Sequence, residues 1–112
     1  MSVPWAVTPE KIDAAIRKIV SVEHPRKVLL FGSVVKGTTT LHSDVDLLVV
    51  TGHDVESPRR ESVRIRRALR GIAMPMDILV ISEQRLEELR DEPGLIYREV
   101  VRHGRIVYEA AK

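Results

Sequence analysis

Apolar residues along this chain follow two patterns. Ile12, Ala15, Ile16, Ile19 and Val20 recur at helical spacing, and Thr8-Pro9-Glu10 ahead of them supplies a capping hydroxyl, a proline suited to the first helical position and an early acid that complements the helix dipole. The pattern predicts an amphipathic helix over residues 9–22, ended by His24-Pro25. Two strands are expected next, at 27–31 and 45–51, around the unbroken apolar runs 28–31 and 47–50. Their branched, nearly all-apolar make-up is that of strands covered on both faces. Ser57-Pro58 repeats the cap-and-proline signal and opens a second helix to about Arg70, broken by Gly71, with a thin core stripe of Val63, Ile65, Ala68 and Leu69. A third strand is expected over 76–81, then a helix capped by Ser82 and carrying Leu86 and Leu89. Beyond Pro93-Gly94 come a helical turn or two with Leu95, Ile96, Val100 and Val101, and after Gly104 an extended tail over 105–108.

The order helix, strand, strand, helix, strand, helix, helix, tail strand predicts an α/β (α+β) class, a small mixed β-sheet flanked by helices. Residues 32–44 read as a loop between the first two strands. A helix joins the second strand to the third, so those two should run parallel under the right-handed crossover rule. With 112 residues the chain reads as one domain, 1–112, with a modest core and no room for a separate substrate-binding domain. Its composition, 44% hydrophobic and 30% charged, is that of an ordinary globular domain, and no apolar run approaches the roughly 18 residues of a membrane span. Met1 to Val7 is too short and uncharged for a signal peptide. The absence of cysteine excludes disulfides and thiolate metal sites and fits a cytoplasmic location.

The chemistry concentrates between the first two strands. Gly32-Ser33 forms a tight turn with a hydroxyl after one apolar run, and Asp44-Val45-Asp46 sets two carboxylates at the mouth of the next. Side chains alternate across a strand, so Asp44 and Asp46 face one side and Val45 the other. A third acid, Asp77, interrupts the next apolar run near its start. Parallel pairing of the second and third strands puts Asp77 at the same end as Asp44 and Asp46, and an antiparallel first strand delivers Gly32 and Ser33 there too. Three carboxylates that close together are costly unless cations sit among them. Magnesium, one ion or two, is the natural occupant, held by a few carboxylate oxygens while it also binds substrate phosphates. Glycine at 32 lets the backbone approach phosphates, Ser33 can donate to them, and Lys36 adds positive charge. Gly37 and Thr38 to Thr40 complete a small polar loop.

The run Gly32-Ser33, ten residues, Asp44-Val-Asp46, with a later Asp77, resembles the nucleotidyltransferase superfamily that includes DNA polymerase beta, and most closely its minimal nucleotidyltransferase branch. The resemblance extends from the first helix through Ile81, and the stretch from Ile96 to Tyr108 is similar to the ending of these short proteins. It implies the polymerase beta-like fold and transfer of a nucleoside monophosphate, with ATP the usual donor, onto an acceptor hydroxyl. On that resemblance Asp44 and Asp46 ligate magnesium, Asp77 helps bind the catalytic ion and takes the acceptor proton, and Gly32 with Ser33 holds the triphosphate. Lys36 stands where the family usually carries arginine: the charge survives and the two-pronged phosphate contact does not.

Larger relatives carry a helical domain that presents the acceptor, so a partner is expected to supply it here. Minimal members are often paired with a HEPN toxin ribonuclease, act as its antitoxin, and in some systems transfer AMP to a toxin tyrosine. The competing reading is a non-catalytic module that neutralises its partner by occlusion. Arg60, Arg64 and Arg67, at i, i+4 and i+7 of the second helix with Arg59, Arg66 and Arg70 beside them, offer a surface for it or form a solvated face. Direct nucleic-acid binding is disfavoured by the net charge of +2 and four aromatic residues. His24, His42, His53 and His103 lack metal-ligand spacing. Tyr97 and Tyr108 read as packing residues, Trp5 as a staple or a partner contact, and a homodimer is open.

Overall fold

The computed structural model describes residues 6–37 and 44–111; the readings made at Trp5, at Thr38 to Thr40 and at His42 lie outside them. The first helix, α1, is Pro9–Glu23, with the Thr8 hydroxyl accepting from the Lys11 amide and His24 closing the other end in a left-handed conformation. Then follow β1 (Lys27–Phe31), α2 (Ser33–Lys36), β2 (Val45–Thr51), α3 (Pro58–Ala68), β3 (Met76–Ser82), α4 (Glu83–Leu89), α5 (Ile96–His103) and β4 (Arg105–Glu109). The four strands form one mixed sheet in the order β3-β2-β1-β4. β1 is antiparallel to β2, and β2 and β3 are parallel, as the helical crossover requires. The tail becomes β4, antiparallel to β1 at the sheet edge with an irregularity between Val28 and Leu29.

Alternation along the strands divides the core in two. Val28, Leu30, Val45, Leu47 and Val49 pack with Ala15 and Ile19 of α1 and Ile65 of α3 on one face. Leu29, Phe31, Leu48 and Val50 pack with Leu86 of α4 and Val100 of α5 on the other. Both faces of the central strands are thus covered, as their apolar runs imply.

Three local expectations are corrected. The segment after β1 is not all loop, because residues 33–36 make one helical turn. Gly32, at φ 79°, turns the chain out of the strand, Val34 and Val35 pack against the core, and Gly37, at φ 75°, ends the turn. The second helix stops at Ala68, two residues short of Arg70, where the Leu69 amide bonds back to the Ile65 and Arg66 carbonyls. Val63 leaves the expected core stripe and is exposed, because two helical steps from buried Ile65 place it on the opposite side.

α3 is tied down twice. The Ser62 hydroxyl donates to the Ile78 carbonyl at 2.7 Å, and Arg64 forms an ion pair with the buried Glu23 of α1 and with Glu61. Burial, then a hydrogen bond with Glu61, pushes the Glu23 carboxyl above its ordinary value, and the Arg64 guanidinium opposes that shift. Among the described residues no helix is long and apolar enough to cross a membrane.

Candidate active site

The strand register assembles the carboxylates. Val45, Leu47 and Val49 project toward α1 and α3, so Asp46 shares the opposite face with Leu48 and Val50. The same alternation sends Asp77 to that face with Leu79 and Ile81. Asp46 lies opposite Asp77 in the parallel β2–β3 pair and opposite Phe31 in the antiparallel β1–β2 pair. Asp44, exposed, sits just ahead of β2. Burial first, and then the carboxylates of Asp77 and Asp44, push the Asp46 carboxyl up. Asp77 and Asp44 therefore both act on Asp46.

Gly32 follows Phe31 directly and closes on Asp46. A methyl group at this position would overlap Oδ2 of Asp46 and lie 3.2 Å from its Cγ. With φ 79° and ψ −152°, the backbone also adopts a conformation open essentially to glycine alone. The glycine at the start of the motif is thus needed for two separate reasons. Ser33 begins the α2 turn and Lys36 ends it, its amide donating to the Gly32 carbonyl at 3.1 Å.

Two ion pairs engage residues of the expected site. Nη2 of Arg66 lies 2.7 Å from Oδ1 of Asp77, with both side chains about half exposed. Nζ of Lys36 lies 3.2 Å from Oε1 of Glu99 on α5, again between half-exposed groups. Lys36 is therefore held by an acid of α5 rather than set among the carboxylates. Arg66 reaches Asp77 from α3, on the far face of the sheet, around the open edge of β3. There a cleft of about 480 Å³ is lined by Arg59, Ser62, Val63 and Arg66 of α3, by Asp77 to Val80 of β3, and by Tyr97 of α5.

The roles of Arg66 and Glu99 were not legible in the sequence. Arg66 is one of six arginines between 59 and 70, and only the tertiary fold singles out the one that meets Asp77. Tyr97 packs partly against the core as expected, and it also forms one wall of the cleft.

The donor set suits a hard divalent cation. Asp46 and Asp77 are adjacent acidic oxygen donors in the parallel β2–β3 register. Among the described residues no three His, Cys, Asp or Glu side chains converge closely enough to hold a metal ion by themselves. A cation here would be shared with phosphate oxygens of a substrate, which is the usual habit of magnesium.

Comparison with known proteins places the fold. Among curated protein sequences none matches the chain. Among solved structures, a mutant of the MntA-HpeT toxin–antitoxin complex superposes with a TM-score of 0.60 at 19% identity, covering 93% of this chain and 74% of that one. A toxin–antitoxin crystal structure with AMP-PNP gives 0.57 at 20% identity, covering 93% and 75%. A candidate nucleotidyltransferase from Sulfolobus solfataricus gives 0.51 at 18% identity, covering 92% and 90%. At these identities the likeness is one of fold. The family model described as polymerase beta, nucleotidyltransferase, matches residues 11–112, and the chain belongs to that family.

Proposed function

We propose that this chain is a magnesium-dependent minimal nucleotidyltransferase that transfers AMP from ATP to a hydroxyl of a partner toxin, a tyrosine of a HEPN-type protein, and thereby acts as its antitoxin in the cytoplasm. The observation that carries the reading is the register that sets Asp46 beside Asp77 with Gly32 closed against Asp46. The fold shared with toxin–antitoxin structures, one of them with AMP-PNP, supports the partner and the nucleotide.

In this reading the acceptor oxygen attacks the α-phosphorus of ATP, a new P–O bond forms, the bond to the β-phosphate oxygen breaks, and pyrophosphate leaves. Asp77 takes the proton of the acceptor hydroxyl. Magnesium held by Asp44, Asp46 and Asp77 would supply charge neutralisation for the triphosphate and the leaving group. Gly32 lets the main chain approach the phosphates, and Ser33 offers a hydroxyl beside them. Lys36 contributes its charge after exchanging Glu99 for phosphate, and Arg66 must yield the Oδ1 of Asp77 that it now occupies.

That last contact favours one alternative, a non-catalytic antitoxin that neutralises its partner by occlusion. The two readings part on Asp44→Ala: an occluding module still neutralises the partner, whereas an enzyme does not. The direct test incubates the protein with the product of the adjacent gene and magnesium ATP. The partner should gain the mass of one or more nucleoside monophosphates, and a partner of unchanged mass that is still neutralised would select occlusion.

A further inference from the structure

The cleft at the edge of β3 has a composition that the nucleotide chemistry does not explain. Among the described residues β3 pairs with β2 alone, and its outer edge lines a cleft with α3 and Tyr97. Its apolar lining is exposed Val63 and half-buried Leu79, with Ile78 and Val80 buried beneath, and Asp77 lines it too. Val63 is 41% exposed, and at the start of α5, next to Tyr97, Leu95 and Ile96 are 43% and 44% exposed. Among the described residues Arg59 stands in the cleft with no acid partner, and Arg66 pairs with Asp77. Exposed apolar side chains, a tyrosine and arginines with few other charges are the make-up of a protein interface core.

We propose that this cleft docks an acidic segment of a partner polypeptide, with carboxylates flanking an aromatic side chain that bears the acceptor hydroxyl. The inference rests on the transferase reading above and adds where and by what chemistry the acceptor binds. The aromatic ring lies on the apolar lining beside Tyr97, and its hydroxyl faces Asp77. The flanking carboxylates bind Arg59 and compete with Asp77 for Arg66. Docking thereby releases the carboxylate that must accept the proton, so that the acceptor itself prepares the site. RNA fits less well: Tyr97 is the one aromatic side chain in the cleft for a base to stack on, and the chain's net charge is only +2.

The test uses a random glutamate–tyrosine copolymer, a lysine–tyrosine copolymer and a single-stranded RNA oligonucleotide as probes of the full chain, with binding followed by fluorescence anisotropy and mapped by backbone amide shifts. The glutamate–tyrosine probe is expected to bind and to shift Arg59, Val63, Arg66 and Tyr97. Arg59→Glu should weaken it about ten-fold or more, whereas Arg17→Glu, on exposed α1, should leave it unchanged. Thermal unfolding of both variants shows whether each is folded. Shifts centred elsewhere, equal binding of the lysine probe, tighter binding of RNA in the cleft, or an unaffected folded Arg59→Glu would each overturn the proposal. Magnesium ATP binding by the unaltered protein is measured alongside. Its loss with cleft binding intact would count against the transferase reading and not against the docking surface.

Discussion

At Gly32 a backbone turn and a carboxylate occupy the space that any side chain would need. Alanine there meets both the overlap with Asp46 and a positive φ of 79°, so Gly32→Ala should lower stability by about 1–3 kcal/mol in urea unfolding. Asp46 carries the opposite kind of tension. Its carboxyl is raised from an ordinary 3.8 by burial and by its acidic neighbours, so the folded state holds the proton longer than the unfolded state does. Stability therefore falls as pH rises from about 3.8 through the raised value, and above it the ionised group is a standing cost. Asp46→Asn should accordingly be more stable than the unaltered protein at neutral pH, with the difference vanishing below the ordinary value, when melting is followed against pH. Gain of stability with loss of transfer is the pattern of a group kept for chemistry. The motif residues were legible because their identity and spacing carry the information; the partners Arg66 and Glu99 were not, because each reaches its contact from a different element of the fold.

Among the elements, the long periodic ones were legible and the short one was not. α1 and the strands lie within a residue or so of where their patterns place them. α2 has four residues, too few to show a helical period, and it exists because two glycines with positive φ bracket it and two valines anchor it. α5 links the ends of the site, with Tyr97 at the cleft and Glu99 on Lys36. Because Glu99 both holds Lys36 and repels a triphosphate, Glu99→Gln should tighten magnesium ATP about two- to five-fold by calorimetric titration, the range an exposed ion pair allows. Equal or weaker binding would mean that Lys36 does not meet the nucleotide.

For the whole molecule, the parallel β2–β3 crossover is the decisive feature, since an antiparallel pair would have carried Asp77 to the opposite end of the sheet. Topology was readable from the helix between those strands, and with it the end of the sheet where Asp46 and Asp77 meet. The cleft was not readable, because it is formed by three elements meeting around an edge that the sequence does not mark. The most direct measurement gives the protein, magnesium and the adjacent gene product ATP labelled at either the α- or the γ-phosphate. Label from the α-phosphate should pass to the partner, label from the γ-phosphate should leave in pyrophosphate, and Asp77→Asn should abolish both. Transfer of the γ-label, or α-label transfer undiminished in Asp77→Asn, would contradict a nucleotidyltransferase built on these carboxylates.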